Sequence, residues 1–100
     1  MTEQPTVTVS RNESTHRFEA RLDGMPAGFV DYKQRGNEVV LIHTETLAGF
    51  EGRGVGSALA RFALDEIRDR GEKAVVLCPF IKTYLTKHPE YNDVVLRVAD

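Results

Sequence analysis

Alternating apolar and polar positions predict strands in the first third of the chain. Residues 6–10 alternate between polar and apolar side chains. In residues 16–22 the apolar side chains fall on alternate positions, as in a half-buried strand. Asp23-Gly24 is a hairpin signal, and Met25 to Lys33 form the predicted return strand, with Gly28 as a possible bulge. The turn residues Arg35-Gly36-Asn37 then end this hairpin. The buried positions of the first hairpin are predicted to be Phe18, Ala20 and Leu22.

The middle of the chain predicts a buried strand followed by an amphipathic helix. Val39 to Ile42 are apolar on both parities, which predicts a central strand covered on both faces by helices. A helix is predicted from Val55 to Arg70, with Gly71 as its terminator. Its apolar stripe consists of Val55, Leu59, Phe62, Ala63 and Ile67.

The last third predicts one more strand and a short helix. Lys73 to Leu77 form a buried strand, and because a helix connects it to the strand at Val39, the two strands should be parallel neighbours. Pro79 suits the first position of a helix that ends near Lys87. Residues 94–96 are predicted either to add a final strand or to pack against the core.

Composition narrows the class of protein. One hundred residues, 41% apolar and 28% charged, predict one folded domain over residues 1–100 and disfavour disorder. A net charge of −2 without clustered basic residues predicts no nucleic-acid partner. One cysteine and three scattered histidines predict neither a disulfide nor a metal site. No apolar run reaches transmembrane length and the first residues do not resemble a signal peptide, so we expect no membrane association and a cytoplasmic location.

Three glycines immediately before the long helix predict a phosphate site. Gly52, Gly54 and Gly56 permit close approach of a ligand to the backbone, and the first amides of a helix have no intrahelical acceptors. Arg53 adds a cation within the loop. A glycine-rich helix entry without a ligand is the alternative interpretation, and we favour the phosphate site.

These residues, taken in order, resemble the GNAT superfamily of N-acyltransferases. The family pattern Gln/Arg-x-x-Gly-x-Gly/Ala places its glycines at Gly54 and Gly56, whereas Glu51 departs from the Gln/Arg position. Small GNAT-like proteins of about this length are similar in further features, and the resemblance extends from Val39 to Tyr91. Those features are His43-Thr44-Glu45, Cys78-Pro79-Phe80 and Tyr84.

The resemblance implies an α/β (α+β) fold and a cofactor. The expected sheet is mixed and mostly antiparallel, with a helix on each face and without the N-terminal helices of larger family members. The sheet should splay between the strands ending at Thr44 and Cys78, and coenzyme A should lie in that splay. The residues implied to bind acetyl-CoA are His43, Thr44, Arg53, Gly54, Val55, Gly56, Ser57, Cys78, Pro79 and Tyr84.

The implied reaction is transfer of an acetyl group from acetyl-CoA to an amine. His43 and Glu45 share parity on their strand, so either could accept a proton from the amine, with Glu45 the stronger candidate. The resemblance implies that Tyr84 is the acid that protonates the leaving thiolate. Cys78 is either a buried apolar residue or a nucleophile that carries the acetyl group first. Direct transfer and an acetyl-cysteine intermediate therefore both remain open.

Two other classes of function also remain open. Without N-terminal helices, the chain could be a non-catalytic CoA-binding or interaction module, or an adaptor that binds phosphorylated peptides. The sequence does not specify the amine acceptor, and it leaves a monomer and a homodimer equally open.

Overall fold

The computed structural model describes residues 6–99, which form a single six-stranded sheet with two α-helices. Strand order in the sheet follows the chain. The first four strands are antiparallel, whereas β4, β5 and β6 run parallel to one another. The elements are β1 (Val7–Asn12), β2 (Arg17–Leu22), β3 (Met25–Arg35), β4 (Glu38–Thr46), α1 (Val55–Asp69), β5 (Lys73–Val76), α2 (Pro79–Lys87), a 3₁₀ turn (Pro89–Tyr91) and β6 (Val95–Val98).

The predicted fold class is confirmed, and most element positions agree with the sequence. Asp23 and Gly24 both have positive φ, 50° and 81°, as a two-residue turn between antiparallel strands requires. The segment around residue 95 forms β6 rather than only packing on the core. Neither helix within residues 6–99 is long and apolar enough to cross a membrane.

The bulge predicted near Gly28 occurs beside it. Gly28 pairs with Ala20 and Pro26 with Arg21, so Ala27 is the extra residue in β3. A Cβ atom at Gly28 would lie 2.6 Å from the carbonyl oxygen of Glu45. Glycine is therefore needed here because the backbone of β4 passes too close for any side chain.

Both helices lie on the same face of the sheet, which differs from the expected helix on each face. Buried residues of α1 and α2 belong to the same hydrophobic cluster as Val39 and Leu41 of β4 and Ala74 and Val76 of β5. The physical reason is topological. The connections β4–α1–β5 and β5–α2–β6 advance in the same direction across the sheet, and right-handed crossovers then place both helices on one side.

The opposite face is only partly covered by side chains. Val40 and Val75 are buried there and lie in register with Lys33 on one side and Arg97 on the other. Farther along, Ile42 and Leu77 are 40% and 37% exposed. The prediction that Val39 to Ile42 is covered on both faces therefore fails at Ile42, since no described helix packs on that side.

Candidate functional site

The loop before α1 opens into a cavity at the helix N-terminus. Gly52 and Gly54 have φ of 74° and 79°, and Gly54 is the N-cap residue of α1. These left-handed conformations turn the chain into the helix and favour glycine. The cavity has a volume of about 250 Å³ and is lined by Thr46, Phe50, Glu51, Gly52, Gly54, Val55, Gly56, Ser57 and Phe80.

The start of α1 offers hydrogen-bond donors to this cavity. The first intrahelical bond runs from the Ala58 amide to the Gly54 carbonyl, at 3.0 Å. Helix geometry therefore leaves the amides of Val55, Gly56 and Ser57 without intrahelical acceptors, and no side chain caps the helix. Together with the helix dipole, these amides favour an anionic group.

The two charged residues of the loop are placed differently. The Glu51 carboxylate accepts a hydrogen bond from the Gly49 amide at 3.0 Å, so it holds the turn that leads to the glycines. Glu51 also lines the cavity, where its negative charge opposes anion binding. Arg53 is exposed in the same loop, and the described residues that line the cavity do not include it.

A gap opens between β4 and β5 beside this cavity. The two strands pair from Glu38 and Lys73 up to Leu41 and Val76. The amides of Leu77 and Cys78 both donate to the Leu41 carbonyl, at 2.9 and 3.2 Å. From Ile42 to Thr46, β4 continues beside β3 without a β5 partner. The predicted splay is therefore present, and one edge of β4 is left for a ligand.

Cys78 lies at the start of this gap on the side of the helices. Its side chain is only 1% exposed, and Thr44 Oγ1 lies 2.9 Å from its Sγ, within hydrogen-bonding distance. Thr44 faces the helices because it pairs with Val30, a residue of the hydrophobic core. Cys78 therefore packs in the wall of the gap as a small, nearly apolar side chain.

His43 and Glu45 project from the other side of the gap. The predicted shared face is confirmed, since His43 Nε2 lies 3.2 Å from Glu45 Oε1. Both side chains are about half exposed. Their strand partners are Asp31 and Phe29, which lie on the face without helices. The gap thus has Thr44 and Cys78 on one side and this pair on the other.

Tyr84 lies on α2, in a second cavity that shares two lining residues with the cavity at the start of α1. Its ring stacks on His88 with centroids 4.0 Å apart, and it lines a cavity of about 160 Å³ with Ser57 and Phe80. Burial raises the pKa of the Tyr84 hydroxyl, while Arg61 opposes that shift. Tyr84 and Ser57, a residue in the first turn of α1, therefore line the same cavity. Within residues 6–99, Tyr84 and Cys78 are not hydrogen-bonded to each other. Pro79 is the first residue of α2 and orients this helix, as predicted.

Sequence reasoning gave Phe80 no separate role in this site. Its ring is 42% exposed and lines both the cavity at the start of α1 and the one beside Tyr84. A Cβ atom at Gly56 would lie 2.6 Å from Phe80 Cζ, so the ring rests directly on the first turn of α1. The pairing of a helix-entry glycine with an aromatic after Cys-Pro is the sequence signal for this contact.

Residues 6–99 contain no group of three or more His, Cys, Asp or Glu side chains arranged to hold a metal ion. Polar groups around the gap and the adjoining cavity include the amides at the start of α1, the unpaired edge of β4, and the side chains of His43, Thr44, Glu45, Glu51 and Ser57.

Comparison with known proteins identifies the family. The sequence profile described as GCN5-related N-acetyl-transferase matches residues 17–94. The chain belongs to this family. The match includes both strands that border the gap and the whole of α1 and α2.

Individual relatives agree with the family assignment. Protein NATD1 of Mus musculus is 31% identical over 85 residues, which span 83% of this chain and 77% of that protein. Protein NATD1 of Danio rerio is 28% identical over 92 residues, covering 88% of this chain and 84% of that protein. The NMR structure of a GCN5-like protein from Staphylococcus aureus has a TM-score of 0.67 at 24% identity, covering 92% and 90% of the two chains, and so shares the fold.

Proposed function

We propose that this member of the GCN5-related N-acetyltransferase family transfers an acetyl group from acetyl-CoA to an amine. One observation carries the proposal: the open amides of α1 face a cavity that adjoins the gap between β4 and β5. A helix N-terminus suits a diphosphate, and an unpaired strand edge suits the amides of a pantetheine arm. The two features lie where a single extended cofactor can use both.

The proposed cofactor contacts follow from this arrangement. The amides of Val55, Gly56 and Ser57 hold the diphosphate, together with the Ser57 hydroxyl. Arg53, exposed in the same loop outside the cavity lining, adds a positive charge nearby. Residues 42–46 of β4 pair with the pantetheine amides. Thr44 and Cys78 contact the thioester end from the helix side, and Pro79 fixes the start of α2 beside it.

Direct transfer is the mechanism that we propose. Glu45, hydrogen-bonded to His43, accepts a proton from the substrate ammonium, and the neutral amine nitrogen then bonds to the thioester carbonyl carbon as the carbon–sulfur bond breaks. The nitrogen loses its second proton to solvent as the amide forms. The released thiolate takes a proton from Tyr84, which regains one from solvent. The burial of Cys78 supports this route over an acetyl-cysteine intermediate, because a nucleophilic cysteine requires an accessible thiolate.

An NMR titration with coenzyme A tests the binding half of the proposal. We expect the amides of residues 53–57 to shift on saturation, whereas residues 68–71, at the other end of α1, serve as an internal control. Calorimetry with coenzyme A and with pyrophosphate checks specificity, since an adaptor for anions would bind both about equally. Unshifted amides at 53–57 would rule out this cofactor site.

Rate measurements with matched variants test the chemical half. Glu45→Gln should lower kcat by about a hundredfold if Glu45 is the base, whereas Glu38→Gln at the start of the same strand should not.

Cys78→Ala should retain transfer, and the wild-type protein quenched with acetyl-CoA should show no added acetyl mass. Tyr84→Phe should lower kcat with little change in KM. Cofactor binding without acetylation of any amine would instead favour a non-catalytic CoA-binding module.

A further inference from the structure

The face of the sheet without helices carries a second cavity, apart from the proposed cofactor site. Its volume is about 310 Å³, and its walls come from β2, β3 and the loop after β4. Arg17, Arg21 and Glu19 provide its charged side chains, while Phe29 and Leu47 provide apolar surface. A cavity with cationic side chains and apolar walls suits a small organic anion.

Two of the charged side chains in this cavity, Arg17 and Glu19, have hydrogen-bond partners in the protein. Arg17 donates through Nε to Asp31 Oδ1 at 2.7 Å, and its guanidinium lies 3.9 Å from the centre of the Phe29 ring. The Glu19 carboxylate accepts from Asn12 Nδ2 at 3.4 Å, so it is directed toward the turn between β1 and β2.

Arg21 completes the set of charged residues in the cavity. It makes no ion pair or side-chain hydrogen bond within the described part of the chain, residues 6–99. Its guanidinium and the terminal nitrogens of Arg17 are thus donors available to a carboxylate.

The cavity lies next to the proposed catalytic pair. Phe29, which lines it, is the strand partner of Glu45, and the rings of Phe29 and His43 are 6.3 Å apart. The cavity lies over β2 and β3, and the gap lies on the far side of β4. Because neighbouring strands are about 5 Å apart, the cavity and the gap are separated by one or two strand spacings, roughly 5–10 Å. This face therefore has a carboxylate near the gap and guanidinium groups a short distance away.

We propose that the amine acceptor is an ω-amino acid, whose carboxylate binds Arg21 and Arg17 while its amine lies beside Glu45. The methylene chain between the two groups lies along Phe29 and Leu47. This inference rests on the proposed acetyl transfer, and the chemistry is the same. Glu45 takes one proton from the ammonium, the nitrogen gains the acetyl group and loses a second proton to solvent, and coenzyme A leaves as the thiol. Glycine cannot satisfy both ends, because its amine and carboxylate share one carbon.

The transfer experiment compares 6-aminohexanoate with hexylamine, which lacks the carboxylate. We expect kcat/KM to be about tenfold higher for the amino acid, the effect of one charge-assisted contact. Arg21→Gln should remove that preference by raising KM for 6-aminohexanoate alone. Arg35→Gln, at the exposed end of β3, is the matched control and should leave it unchanged. Equal efficiency of the two amines in the wild-type protein would overturn the inference.

A binding experiment separates this inference from the proposed activity. In an NMR titration without acetyl-CoA, 6-aminohexanoate should shift the amides of residues 17–29 in the wild-type protein and not in Arg21→Gln, whereas hexylamine should shift neither. Binding without acetylation of any amine would refute the proposed transferase and retain the site. Absence of amide shifts would refute the site even if other amines are acetylated.

Discussion

At the scale of single residues, the glycines before α1 meet two different requirements. Gly52 and Gly54 have positive φ and open space where a Cβ would project, so their role is backbone conformation. Gly56 lies inside the first helical turn, where the Phe80 ring occupies the position of a side chain. Glycine is thus needed at two positions for the turn and at a third for close packing.

Glu51 gives the first residue-scale prediction. Its carboxylate lines the cavity proposed for a diphosphate, and Glu51→Gln keeps an oxygen for the Gly49 amide while removing the charge. We expect coenzyme A to bind about fivefold more tightly at low salt, from about 1 kcal/mol of relieved repulsion, and the gain to shrink at high salt. Calorimetry at two salt concentrations measures both effects.

The matched control for that prediction is Asp69→Asn. Asp69 is the last residue of α1, so the variant makes the same change in net charge about 20 Å from the cavity. Equal gains in affinity from both variants would show that Glu51 acts only through net charge.

Sequence alone could predict which residues surround the gap but not how exposed each one is. The parity of His43 and Glu45 was sufficient to place them on one face, because alternation is a local property of a strand. The burial of Cys78 depends on Thr44, α1 and α2 together, so its accessibility was left open. The catalytic roles of Glu45, Cys78 and Tyr84 stay predictions.

At the scale of elements, α1 was predictable because its signals are local. The apolar stripe, the glycines before it and Gly71 after it predict a helix from Val55 to Arg70. The observed helix begins at Val55 and ends one residue earlier, at Asp69. The shared face of α1 and α2 was not predictable in the same way. It depends on β6 being parallel beside β5, and the weak pattern of residues 94–96 left that pairing open.

Arg11 holds several elements together and gives the element-scale prediction. Its side chain is 4% exposed, lies 4.8 Å from the centre of the Tyr32 ring, and bonds Glu72 at 2.9 Å, thereby joining β1 to β3 and to the turn after α1. Arg11→Met should lower the free energy of unfolding by about 3 kcal/mol, because the mostly buried Glu72 carboxylate loses its cationic partner and keeps only the hydrogen bond from Gln34. Urea denaturation measures this loss, with exposed Arg35→Met as the control. A loss below about 1 kcal/mol would show that water replaces Arg11 at Glu72.

At the scale of the whole molecule, the described residues have one face packed by helices and one largely open. Ile42 and Leu77 are exposed on the open face. The cofactor is proposed to approach from the helix side, and the acceptor from the open side.

The stability of the molecule at alkaline pH gives the whole-molecule prediction. Burial, and then the hydrogen bond that the Tyr91 hydroxyl donates to Asp65 at 2.8 Å, raise the pKa of Tyr91. Burial also raises the pKa of Tyr84. A raised folded-state pKa means that the unfolded chain loses these protons first, so stability is retained below about pH 10 and falls above it.

Tyr91→Phe separates the two contributions of this hydroxyl. At pH 8 the variant should be about 1 kcal/mol less stable than the wild-type protein, because it lacks the bond between the 3₁₀ turn and α1. Between pH 9 and 11 the wild-type protein should lose stability faster, so the difference narrows or reverses. Urea denaturation across this range measures both curves. Parallel curves would mean that the Tyr91 hydroxyl titrates alike in the folded and unfolded chains, and that the contact with Asp65 does not hold the turn against α1 in solution.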